Sequence, residues 1–187
     1  MSNAVSALNG QEAKGDVTVR ELGLSGMITL RGDFEDENFG AALSQITGAG
    51  VPDVRHFVQA GDFTVLWMSP DELLVILPYE KAAETVAAFD AALKGTHFLA
   101  VNVSDARALI SISGDFANEV LAKLSPVDMS ADRFTAGMVR RTRLAQVAAA
   151  FWMLPDGSYN LMCFRSVADY AFGLLTTSAK AGPVGAI

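Results

Sequence analysis

The sequence predicts an α+β fold made of two copies of one β-α-β-β-α unit. Three observations predict it. The string Trp-Met-x-Pro-Asp occurs twice, at Trp67–Asp71 and at Trp152–Asp156, 85 residues apart. Upstream of each, an alternating apolar run ends in Gly-Asp-Phe, at Gly32–Phe34 and at Gly114–Phe116, 82 residues apart. The two spacings differ by three residues, the size of one small loop insertion, so independent strings share one period. Finally, 51% of the 187 residues are apolar and 19% are charged, which supplies a sizeable core and argues against disorder.

Taken in order, residues 1–16 are small, polar or glycine-rich and are expected to form a flexible tail. The folded part, 17–178, is expected to be a single duplicated domain with halves at about 20–96 and 104–178. In the first half, "MITLRGDF" (27–34) alternates apolar and polar residues, as a strand with one buried face does. Asp33 follows as a helix N-cap, since its carboxylate accepts a backbone N–H of the first turn. Phe39, Leu43 and Ile46 then fall on one helical stripe, and Gly48-Ala49-Gly50 stops it.

Two apolar runs, Phe63–Met68 and Leu73–Leu77, flank Pro70-Asp71. Proline presets φ for a turn and aspartate bonds its own backbone, so the pair marks a hairpin. Residues 80–94 carry Ala82, Val86, Phe89 and Leu93 at helical spacing.

The second half repeats this order. "ALISISGDF" (108–116) is the strand, with Asp115 in the capping position. Phe116, Val120, Leu121 and Leu124 form the helical stripe, which Ser125-Pro126 ends. Val147–Leu154 and Tyr159–Phe164 are the hairpin strands, and Gly157 in the bend supplies a positive φ. Ser166 and Asp169 resemble a capping box, and Val167, Tyr170, Ala171, Leu174 and Leu175 give the last helix its apolar face. The near-continuous apolar strands predict burial on both faces. Residues 179–187 are expected to be a second flexible tail.

Reactive groups are sparse. His56 and His97 lie in no metal-ligand spacing, and each reads as an ordinary loop histidine. Cys163, the single cysteine, sits mid-strand in "NLMCF", where a thiol behaves as a small hydrophobe rather than a nucleophile. No glycine-rich nucleotide loop and no G-x-S-x-G occurs. Asp33 and Asp115 occupy matched positions, which favours capping over catalysis. No catalytic, cofactor-binding or metal-ligating residue is therefore assigned.

Arg140, Arg141 and Arg143 form the one basic cluster. On a strand, Arg141 and Arg143 share a face. They fit solvated arginines at a strand entry, a surface for an acidic partner, or a grip on a small anion. The net charge of -7 disfavours nucleic acid. The amino terminus lacks a basic start followed by an apolar core, so no signal peptide is expected. Val147–Leu154 is too short to cross a bilayer, so no membrane association is expected. One unpaired cysteine agrees with a cytoplasmic location.

With these strings together, the chain resembles the gamma subunit of heterotetrameric sarcosine oxidase. The resemblance rests on "SDARALISISGDFANEVLAKLSPVDMSADRF" (104–134), "RRTRLAQVAAAFWMLPDGSYNLMCFRSVADYAFGLL" (140–175) and "FTVLWMSPDELLVILP" (63–78), and spans most of residues 20–178. It implies a fold similar to the folate-binding domain of the glycine-cleavage T-protein and aminomethyltransferases. It implies a non-catalytic subunit partnered by alpha, beta and delta chains. Such a complex demethylates sarcosine oxidatively to glycine, produces hydrogen peroxide and passes the one-carbon unit to tetrahydrofolate. The FAD, FMN, NAD, tetrahydrofolate and zinc are expected in the other subunits and none in this chain. The alternative is a free-standing folate-binding or one-carbon-transfer protein of the same fold. Without its partners, the chain is expected to self-associate as a homo-oligomer.

Overall fold

A computed structural model of the chain describes residues 4–185 and 187. In chain order the elements are β1 (Glu12–Ala13), β2 (Val17–Glu21), β3 (Gly26–Gly32), α1 (Glu37–Thr47), β4 (Phe57–Ala60), β5 (Phe63–Ser69), β6 (Glu72–Leu77), α2 (Ala82–Ala92), β7 (Phe98–Asn102), β8 (Arg107–Gly114), α3 (Ala117–Ala122), β9 (Val139–Leu144), β10 (Val147–Met153), β11 (Tyr159–Phe164) and α4 (Ala168–Lys180). They form two compact units. A continuous unit spans Leu24–Asp105, and a split unit joins the chain up to Gly23 with Ala106 onward.

The continuous unit is an antiparallel sheet ordered β4-β5-β6-β3-β7. Ile28, Leu30, Val65 and Val75 on one face meet Phe39 and Leu43 of α1 and Phe89 of α2. The split unit is an antiparallel sheet ordered β1-β2-β8-β11-β10-β9. Here Ile110, Ile112, Phe151 and Leu161 meet Val120 and Leu121 of α3 and Leu175 of α4. The two orders superimpose strand for strand: β4 with β9, β5 with β10, β6 with β11, β3 with β8, and β7 with β2. The duplication is thus a property of the fold.

Each copy carries more strands than β-α-β-β-α. β4 and β9 extend the hairpins, and a flanking strand pairs with β3 or β8. That flanking strand comes from opposite directions in the chain. β7 follows α2 within the continuous unit, whereas β2 lies near the amino terminus, far ahead of β8 in the chain, and pairs with it through Val19–Ile112 and Val17–Gly114. The compact units therefore begin and end elsewhere than the expected halves.

The register also separates letters from structure. Trp67 stands opposite Leu73, on the face of Val65 that packs against the helices. Trp152 stands opposite Asn160 while its neighbour Met153 stands opposite Tyr159, which belongs to the helix-facing core. The structural counterpart of Trp67 is therefore Met153, and the two tryptophans lie on opposite faces of their sheets. Trp152 is 1% exposed on the face it shares with Ala150, also buried, so these strands are buried on both faces as their apolar runs predict.

The helix starts correct three expectations. Asp36, not Asp33, caps α1, its carboxylate accepting the Asn38 N–H at 2.9 Å. Asp33 instead accepts the Glu35 N–H at 2.9 Å in the turn before the helix. α3 follows Phe116 with no side-chain cap, so Asp115 does not cap it. α4 likewise follows Val167 without a side-chain cap, because a 3-10 turn at Arg165–Val167 leads in where a Ser166–Asp169 box was expected. Tyr170 is 45% exposed and lies off the apolar stripe. Gly48 does end α1, at φ 74° with its N–H on the Ser44 carbonyl.

The expected loose tails are corrected as well, apart from residues 1–3 and 186, which lie outside the described residues. Glu21, 4% exposed, accepts the Leu8 N–H at 2.8 Å, the Gly10 N–H at 2.6 Å and the Ser6 hydroxyl at 2.8 Å. That seats Leu8 in the core of the split unit. Glu119, 6% exposed, accepts the Val184 N–H at 2.6 Å and the Gly185 N–H at 3.1 Å. A buried carboxylate needs donors, and segments of low hydrophobicity at both chain ends supply them.

Candidate functional site

Each unit has an open concavity at the carboxyl end of its leading core strand, where Gly32-Asp33 or Gly114-Asp115 leaves the sheet. In the split unit the cleft holds about 330 Å³ between Asp115, Asn118, Met129, Phe134 and Tyr159. Its wall is aromatic. The Phe134 ring lies 5.6 Å from that of Phe151 and 6.0 Å from that of Tyr159. The Arg140 guanidinium sits 5.2 Å from the Phe134 centroid, within cation–π range. Burial pushes the Tyr159 phenol up, so this hydroxyl stays protonated. The cleft offers apolar contact with a carboxylate at its mouth and contains neither histidine nor cysteine.

In the continuous unit the matching concavity is lined by Arg31, Asp33, Asp71, His97 and Leu99. Two of its charges, Arg31 and Asp71, satisfy one another. Asp71 accepts the Ser69 hydroxyl at 2.7 Å and an Arg31 N–H at 3.0 Å. The serine bond chiefly, and Arg31 besides, hold the Asp71 carboxyl below the usual range. This cluster staples the Pro70-Asp71 hairpin back onto β3, and the Gly32 N–H on the Asp71 carbonyl completes it.

The remaining candidates are not assembled into a reactive centre. Cys163 is 1% exposed within the core of the split unit, and burial pushes its thiol up to about 11 despite the opposing charge of Arg107. A nucleophilic thiol requires the opposite shift. His56 and His97 both belong to the continuous unit, the former with Nδ1 at 3.0 Å from the Val54 carbonyl oxygen. Among the described residues no group of three or more His, Cys, Asp or Glu side chains is placed to hold a metal, and no helix is long and apolar enough to cross a membrane.

The three arginines do lie on a strand, β9, at the edge of its sheet. Arg141 opposite Ala150 and Arg143 opposite Ala148 share one face and are exposed. Arg140, opposite Phe151, turns to the other face and is absorbed by the Phe134 ring and the Val139 carbonyl. Only Arg141 and Arg143 are brought together. Sequence reasoning missed Glu21 and Glu119, because nothing local distinguishes a buried acceptor of backbone N–H groups from a surface acid.

Residues 31–181 match the family described as "Sarcosine oxidase, gamma subunit family". The sarcosine oxidase subunit gamma of Corynebacterium sp. (strain P-1) is 30% identical over 159 residues, covering 83% of this chain and 76% of that protein. The subunit gamma of Arthrobacter sp. is 30% identical over 152 residues, covering 79% and 72%. Among solved structures, a chain of the heterotetrameric sarcosine oxidase from Corynebacterium sp. U-96, in complex with pyrrole 2-carboxylate, matches at TM-score 0.82 and 24% identity over 94% of this chain and 91% of that one. The glycine cleavage system aminomethyltransferase T from Bartonella henselae matches at TM-score 0.61 and 10% identity, covering 86% of this chain and 45% of that one. At these identities the two structures are alike in fold.

Proposed function

Because the chain belongs to the sarcosine oxidase gamma subunit family, we propose that it serves as a non-catalytic subunit of a heterotetrameric sarcosine oxidase. Its companions are alpha, beta and delta chains. They hold the FAD, FMN, NAD, tetrahydrofolate and zinc, and perform the oxidative demethylation of sarcosine. This chain contributes folded surface that positions them, in the cytoplasm. Arg141 and Arg143 on the β9 edge are where an acidic patch of a companion would dock.

The observation that carries the non-catalytic reading is the state of Cys163. The sole thiol is sealed in the split unit's core with its pKa moved away from reactivity. The test is a peroxide assay with sarcosine. The isolated chain yields no peroxide, while the assembled companions turn over. Peroxide from the isolated chain overturns the proposal.

The fold likeness to aminomethyltransferase T supports a second reading, a free-standing folate-binding or one-carbon-transfer protein. Calorimetry with tetrahydrofolate separates the two. The subunit reading predicts no heat of binding to the isolated chain, and micromolar binding favours the second.

A further inference from the structure

The internal duplication exposes one asymmetry. In the split unit the flanking strand β2 is not the sheet edge, because β1 pairs with it through Ala13–Val19 and Glu12–Arg20. In the continuous unit the equivalent strand, β7, ends the sheet. The equivalence holds bond for bond. The Leu22 N–H donates to the Leu109 carbonyl at 2.9 Å, and the Val103 N–H donates to the Met27 carbonyl at 2.8 Å. One residue earlier, the Glu21 N–H donates outward to the Gln11 carbonyl of the β1 segment at 2.9 Å. The corresponding outward positions on β7 are Asn102, Ala100 and Phe98. Their backbone groups alternate with those that bond β3 and so turn away from it.

The side chains differ in the same sense. Thr18 and Arg20 flank Val19 on β2, whereas Leu99 and Val101 flank Ala100 on β7, 48% and 40% exposed. β7, "FLAVN", carries no charge and no proline, the usual guards of a sheet edge. A covered strand has polar flanks, and an uncovered one has apolar flanks.

We propose that β7 is a strand-addition edge whose occupant is β7 of a second copy of this chain, paired antiparallel about Ala100. The sequence fits itself in the register that β1 uses. Ala13 sits across from Val19, and Ala100 of the second copy sits across from Ala100. Glu12 sits across from Arg20, matched in charge, and Leu99 of the second copy sits across from Val101, matched in apolarity. Leu99–Val101 is a non-hydrogen-bonded pair in this register, where facing side chains approach most closely. A twofold axis through the pair of Ala100 residues makes both halves of the contact identical and closes the assembly at two. This inference stands independently of the family reading.

The experiment uses the full chain. Light scattering across a concentration series is expected to show a reversible dimer. Leu99→Lys with Val101→Lys sets like charges face to face and is expected to raise the dimer dissociation constant by about tenfold or more, with the thermal melt unchanged in shape. To fix the register, Leu99→Cys chains are mixed with Val101→Cys chains under mild oxidation. A mixed disulfide dimer is expected, with little homodimer of either variant, and buried Cys163 does not compete. A monomer at all concentrations overturns the proposal. So does a dimer that survives both lysines, a crosslink without preference, or an edge occupied only when a companion subunit is added.

Discussion

Gly114 passes Asp16 so closely that a β-carbon on Gly114 would stand 2.1 Å from the Asp16 carbonyl oxygen and 2.9 Å from Cα of Val17. Its φ is 135°, which L side chains rarely adopt. The contact lies where β2 joins β8, so one glycine licenses the pairing that completes the split unit. Gly114→Ala is expected to cost at least about 2 kcal/mol. Gly157→Ala, also at positive φ but with open space around the position, is expected to cost about 1 kcal/mol. Denaturant unfolding of the two variants measures the difference.

The Glu21 carboxylate makes an equally local prediction. Glu21→Ala strands the buried Leu8 N–H and frees the segment that Glu21 holds. The expected loss is about 1–3 kcal/mol. Amide exchange at Leu8 and Gly10 should rise far more than exchange in β8. Equal exchange at those two amides in wild type and variant would contradict the clasp.

Cys163 gives the alkaline limb of stability a sign. Its thiol ordinarily titrates near 9 and is pushed to about 11 in the fold. The folded chain therefore holds this proton more tightly than the unfolded chain. The contribution is fully present below pH 9 and is lost as pH rises from 9 to about 11. The loss amounts to about 2–3 kcal/mol across that window. Cys163→Ala is expected to flatten that limb, and urea midpoints measured every half pH unit show whether it does.

Trp152 and Trp67 should differ despite sharing a string. Trp152→Ala empties a site that is 1% exposed and is expected to cost about 3–5 kcal/mol. Trp67 is only half-buried, so Trp67→Ala is expected to cost clearly less. Thermal melts of the pair distinguish register from letters.

These cases show what the sequence carried. The alternation around Ile28 and Ile110, and the stripes through Phe39, Phe89, Val120 and Leu175, reported their burial directly, because period and packing are one constraint in a core element. β4 and β7 escaped notice because edge strands bury little. Val58 and Leu99 are exposed, and no clean alternation survives. The pairing of β2 with β8 joins Arg20 to Ser111 across the chain, and no local pattern encodes so distant a partner. Asp33 reads as a cap in sequence because it shares its chemistry with Asp36, which stands three residues later and caps the helix. Of the candidate site, the shared face of Arg141 and Arg143 was legible from strand periodicity. The aromatic burial of Arg140 against Phe134 depends on tertiary packing and was not.

The central claim is that this scaffold works as a subunit. The direct measurement is native mass spectrometry of the chain purified after coexpression with the three companion chains of a sarcosine oxidase. The account predicts one assembly that contains all four chains. A flavin-bearing assembly that forms without it, leaving it to purify separately, would contradict the account.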